Sequence, residues 1–144
     1  MNPRQNDIGH YIKTNNNSIP IQNVDAGSDV NGTGFDRQGY GSGVMQAQTG
    51  SATGSPSAQT HRFVLEESSD NSTFTTAQDK NGNDITIDIT EDDTLSELDV
   101  DFQALKRYLR VTYDASESSF TGGSSPANDI AASLILGGAD ELPA

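Results

Sequence analysis

The densest set of oxygen donors in the chain surrounds a single glycine. Asp79, Asn81, Asn83 and Asp84 flank Gly82, and hard oxygen ligands of this kind suit a calcium ion. The spacing argues against it. A helix-flanked calcium loop places donors at its first, third and fifth positions, glycine at the sixth and a glutamate at the twelfth. Here Gly82 stands fourth from Asp79 and the flanks read as strands. Asx-rich hairpin turns use the same residues without metal.

Other chemistry finds still less material. His10 and His61 are the two histidines, and neither has a second His or a Cys nearby to complete a transition-metal site. Serines are abundant, but none stands in a G-x-S-x-G elbow, and two histidines leave a catalytic triad little to draw on. A glycosidase carboxylate pair works in a concave site that normally carries aromatic platforms, and the chain has no Trp. Gly39, Gly41 and Gly43 precede an alternating run from Val44 to Ala47 with no Walker lysine and no amphipathic helix behind them, so they read as a bend entering a strand. No nucleophile, base and orienting group can be assembled. The expectation is a protein that is not an enzyme, with no catalytic residue, no cofactor and no metal.

Lys106, Arg107 and Arg110 form the basic cluster. Lys and Arg total 8 against 21 Asp and Glu, a formal net charge of -13, so these cations are expected to pair with Asp99, Asp101 or a partner's carboxylates. The same balance opposes a phosphate backbone, and no direct nucleic-acid contact is expected.

The elements that must position these residues are short strands. At 144 residues and 32% hydrophobic, the chain fits one domain with a modest core. It has no cysteine, hence no disulfide framework and no thiolate metal site. Residues 1–7 lack an apolar signal segment, and no stretch approaches the ~20 apolar residues of a membrane span, so a soluble protein without its own signal and without membrane contact is expected. The sequons at Asn31 and Asn71 read as polar turns.

The strongest pattern lies in residues 105–113. Leu109, Val111 and Tyr113 alternate with Tyr108, Arg110 and Thr112, the period of a half-buried strand. Ile19, Ile21 and Val24 suggest a first strand, at an edge because of Pro20; residues 25–34 read as a loop. Phe63 and Leu65 share a face of a strand that turns at residues 68–72 and returns from Phe74. Ile85, Ile87 and Ile89 form another strand, Leu98, Val100 and Phe102 the next after an acidic connection, and residues 128–136 the last. Residues 114–119 read as a loop, and the glycine- and proline-rich residues from 137 onward as a tail. Residues 1–18 show no period and read as an extended or disordered arm. The predicted organisation is therefore an arm (1–18), a domain (19–137) and a tail (138–144), all-β, an antiparallel β-sandwich that is jelly-roll-like. Tyr11 and Ile12 in the arm, with Tyr108 and Arg110 on the polar face of the best strand, are the candidate partner contacts.

Several runs carry a resemblance: Phe35 to Ser42, the strand and turn from Phe63 to Phe74, Leu105 to Val111, and Phe120 to Ala127 with Leu134 to Ala139. Together they resemble small structural proteins of tailed bacteriophages, and look like the capsid decoration, or cement, proteins of the virion. The resemblance covers residues 19–144 and rests on turn and strand signatures. It implies a β-sandwich displayed in many copies on the outer capsid surface, bound to the major capsid protein and clamping its subunits, made in the host cytoplasm, and it supplies no catalytic residue. A homo-oligomer, dimer or trimer, would suit such a lattice. The alternatives are a tail tube or tail-tip subunit, and a virion-displayed carbohydrate-binding module using Tyr40, Tyr108 and Tyr113.

Overall fold

The computed structural model describes Gly9, residues 11–14 and residues 18–139. Most of the expected arm, His10 and residues 140–144 lie outside the described residues. Among the described residues the strands are β1 (Lys13–Thr14), β2 (Gln22–Val24), β3 (Val30–Asn31), β4 (Phe35–Asp36), β5 (Tyr40–Thr49), β6 (Ala58–Ser68), β7 (Thr75–Thr76), β8 (Thr86–Ile89), β9 (Leu95–Asp101), β10 (Tyr108–Thr121) and β11 (Asn128–Ala139).

They form two antiparallel sheets. In the first, β1 and β2 lie along one edge of β11, followed by β5 and then β9. In the second, β3 and β4 share one edge of β10, β6 follows, and β7 and β8 share the far edge of β6. The chain passes from sheet to sheet at β2 to β3, β4 to β5, β5 to β6, β8 to β9, β9 to β10 and β10 to β11. Strands adjacent in a sheet are therefore mostly distant in sequence.

The period of two explains which faces meet. Leu109, Val111 and Tyr113 of β10, Phe63 and Leu65 of β6, Met45 and Ala47 of β5, and Ile130, Ala132, Leu134 and Leu136 of β11 are all buried in one apolar cluster drawn from both sheets. Ile85, Ile87, Ile89, Val100 and Phe102 complete it as expected. Phe63 and Tyr113 meet edge-to-face with centroids 5.7 Å apart, a favoured aromatic geometry.

Four local expectations are corrected. Residues 114–119 are not a loop: β10 continues to Thr121, and its pairing with β6 shifts between Asp114 and Ser119. Five residue steps on β10 (114 to 119) there oppose two on β6 (62 to 60), so the extra residues form a bulge. The Ser118 hydroxyl closes it, donating to the Asp114 carbonyl at 2.6 Å and accepting from the Arg62 amide at 2.9 Å. The last strand does not stop at Leu136; Gly137 pairs with Ser42 and Ala139 with Tyr40, because ladder bonding is a backbone property that glycine retains. The first strand is shorter than expected. Ile19 is buried outside it, with its carbonyl bonded to the Ala132 amide, while Ile21 is 74% exposed. Finally, Val30 and Asn31 leave the expected loop to pair with Tyr113 and Thr112.

Gly43 shows why the glycine-rich entry to β5 is needed. A Cβ there would lie 2.5 Å from the Phe102 ring and 2.6 Å from the Ile135 carbonyl, so the backbone itself forms the wall against which Phe102 packs.

Candidate interaction surface

Alternation gives each sheet an outer face, and the two faces differ. On the second sheet, β10 presents Tyr108, Arg110, Thr112 and Asp114 beside Glu66, Val64 and Arg62 of β6. Arg62 grips Asp88 of β8 through two hydrogen bonds of 2.7 Å and reaches Glu117 at 3.5 Å. Arg110 Nε donates to Glu66 Oε2 at 2.5 Å, and the Thr112 hydroxyl donates to the same oxygen at 3.0 Å. The Arg110 guanidinium also lies 4.2 Å from the centre of the Phe74 ring. Beneath these charges Val64 and Thr112 are buried, although they point away from the core.

The basic cluster is likewise engaged, but not with Asp99 or Asp101 as the sequence suggested. Arg107 binds Asp36 of β4 at 2.7 and 3.1 Å, and Lys106 lies against Glu67 with its amide bonded to that carboxylate. Sequence proximity misled: β4 and β6 flank β10, whereas Asp99 and Asp101 belong to the other sheet. The Arg107 hydrogen bond holds the Asp36 carboxyl below its ordinary value, and Arg62 does the same to Asp88.

Of the candidate contacts, Arg110 is thus committed within its own sheet. Tyr108 is half-buried beneath the Arg107 guanidinium, 5.3 Å from its ring centre. Tyr11 and Ile12 are half-buried and lead into β1, where Lys13 and Thr14 pair with Leu136 and Ile135. Ile12 lines a groove of about 520 Å³ with Val44, Ile135 and Asp99. The arm and β10 candidates therefore lie on different sheets and form no common site.

The outer face of the first sheet has another character. β5 contributes Ser42, Val44, Gln46 and Gln48, and β11 contributes Ala131, Ser133, Ile135 and Gly137. Its polar contacts are neutral at one end: Gln46 Nε2 donates to Glu97 at 2.6 Å, and Ser133 donates to the Gln46 carbonyl oxygen at 3.2 Å. Among the described residues every ion pair lies on or beside the second sheet. Glu97, Asp99 and Asp101 face out from β9 with no cation paired to them among the described residues.

His61, read from sequence as an ordinary polar residue, is fully buried opposite the bulge. Its Nε2 lies 2.9 Å from Gln59 Oε1, which also accepts from Asn128 Nδ2, so Nε2 carries the proton. Nδ1 then accepts from the Tyr113 hydroxyl at 3.2 Å. Gln59 Nε2 donates to Asp92 at 2.6 Å and thereby helps hold that carboxyl below its ordinary value. Burial depresses the His61 pKa and raises that of Tyr113. The array joins a histidine to a carboxylate through an amide and braces the bulge from inside; nothing in the one-residue alternation around His61 marks it as different from a surface polar residue.

At the turn of residues 79–84, Asp79 Oδ1 accepts the amides of Asn81 at 2.8 Å and Asn83 at 2.9 Å. The carboxylate is spent on its own backbone, as an Asx turn requires. Among the described residues no group of three or more His, Cys, Asp or Glu side chains converges as a metal site, and no helix is long and apolar enough to cross a membrane. No protein family, curated protein or solved structure matches the chain.

Proposed function

We propose that the protein is a structural virion component, a jelly-roll β-sandwich that binds the outer surface of an assembled phage capsid and stabilises contacts between major capsid protein subunits. The observation that carries this reading is the strand order. With the two-residue strands β1, β3 and β7 set aside, the order β2-β11-β5-β9 in one sheet and β4-β10-β6-β8 in the other, with the chain alternating between sheets, is compatible with two four-stranded sheets built from Greek keys, an architecture used by viral capsid domains. The resemblance of the turn and strand runs to phage decoration proteins points the same way.

The surface chemistry suits a binding role. A face of uncharged side chains across β5 and β11 can lie flat on a partner, and a protein of net charge -13 belongs outside the shell, away from packaged DNA. Stabilisation then follows from mass action, because a ligand that binds only the assembled lattice opposes its disassembly. Each copy need supply only a few kcal/mol, the scale of ~100-fold saturation over the dissociation constant. Oligomerisation as a dimer or trimer matches the symmetry of a decorated lattice.

The test compares heads with and without the protein under heat and low salt. Heads that contain it should survive conditions that open those lacking it, and equal resistance ends the cementing role. Labelled antibody on intact particles should decorate heads; labelled tails alone would replace this reading with a tail subunit.

A further inference from the structure

Among the described residues one edge of the first sheet carries no further strand. β9 pairs with β5 on one side, in continuous register from Ser42 opposite Asp101 to Gln48 opposite Leu95, with no bulge. On its other side no strand is added among the described residues. The Thr94 carbonyl and the Phe102 amide both bond toward β5, and backbone groups alternate direction along an antiparallel strand. The N–H and C=O groups of Leu95, Glu97, Asp99 and Asp101 therefore point away from the sheet. Among the described residues no hydrogen bond reaches them.

Glu97, Asp99 and Asp101 stand on the outer side of β9 without an ion-pair partner among the described residues. On the other side, a groove of about 490 Å³ runs between β9 and the segment leading into β8, with Ile85, Leu98 and Val100 in its wall and Asp79, Lys80 and Asp84 also lining it. Leu95, at the start of the strand, is 58% exposed.

We propose that the free edge of β9 accepts an extended segment of a partner protein as an added strand, and that this segment alternates Lys or Arg with aliphatic residues. Strand addition satisfies the outward backbone groups, and alternate side chains then fall on opposite sides of the sheet. Residues opposite Glu97, Asp99 and Asp101 meet three carboxylates and must be cationic. Those between them project toward the groove of Leu98 and Val100 and must be aliphatic. About seven residues span the edge. Charged side chains are also a means of guarding edges against self-association, and the carboxylates do exclude a second copy of this acidic strand; a basic partner reverses that effect. The inference goes beyond the capsid reading and does not rest on it, since the edge is a property of the isolated domain.

The probes are fluorescent peptides of about nine residues: one alternating Lys and Val, one alternating Glu and Val, and one of the first composition with its lysines clustered. Anisotropy should show binding of the Lys/Val peptide alone, with amide exchange slowed at Glu97, Asp99 and Asp101. Combined Glu97→Lys and Asp99→Lys should weaken binding at least about tenfold. Asp99→Pro removes an outward N–H without touching the ladder to β5 and should abolish it, while thermal unfolding confirms the fold. Equal binding of the clustered peptide, or binding without slowed exchange in the unmodified protein, would reduce the effect to charge adhesion and overturn strand addition. No binding of any peptide would leave the carboxylates as edge guards only. A failed peptide test leaves the head-stability outcome unaffected, and the converse also holds.

Discussion

The two sheets share one core yet turn opposite kinds of surface outward. The second sheet closes on itself: Arg62, Arg107 and Arg110 each find carboxylates on a neighbouring strand, and their side chains cover the centre of the sheet. The first sheet leaves uncharged side chains across β5 and β11 and, among the described residues, carboxylates without a cation along β9. Where a surface has spent its polar groups internally, a partner must break bonds to dock. Where it has not, docking costs only water. The proposed strand-addition edge belongs to the first sheet, although the strongest sequence pattern lies in the second.

The comparison can be broken first at the core. Leu134→Ala in the first sheet and Leu109→Ala in the second should each lower the unfolding free energy by about 2–5 kcal/mol, since both side chains are fully buried. Denaturant midpoints check this, and a mild effect in one sheet alone would mean that the sheets differ inside as well as outside. Glu66→Ala should cost about 1–3 kcal/mol, because Arg110 and Thr112 lose their common acceptor at a site where the paired side chains are only about a fifth exposed.

Acid should act on the second sheet and the network beneath it. The folded-state pKa of His61 lies below 6.5, chiefly through burial, although Asp92 pulls it the other way. The unfolded chain therefore takes up the proton first, and stability declines as pH falls from about 6.5 through the folded-state value. His61→Gln should flatten that decline in a series of thermal unfolding curves. Asp36 and Asp88, held below 3.8 by their arginines, contribute stability that is present above that value and is lost on further acidification. The smallest effect belongs to the open face: Gln46→Ala should change stability by no more than about 0.5 kcal/mol. If it matches Glu66→Ala by chemical denaturation, the outer faces are not different in kind.

Much of the fold was legible because alternation is a local property. Leu109, Val111 and Tyr113, the isoleucines of β8, and the pair Phe63 and Leu65 all fall on the inner face that their spacing predicted. Misreadings occurred where a nonlocal partner overrode local composition. Residues 114–119 are polar enough for a loop, yet β6 pairs with the chain on both sides of them through a bulge. Gly137 and Gly138 look like a tail until the glycines at the start of β5 are laid beside them. Arg110 likewise carries no local sign that Glu66, far away in sequence, lies against it.

Read alone, the sequence already held the all-β class, the inward Leu109, Val111 and Tyr113 of β10, the polar turn at residues 79–84 and a net charge of -13. Each of these follows from residue type and period alone. Long-range pairing settled which charges meet, that His61 is buried opposite the bulge, and that β9 lies at a sheet edge with its carboxylates free of cations among the described residues. Those outcomes depend on strand order, which long-range backbone pairing sets and which no stretch of sequence encodes on its own.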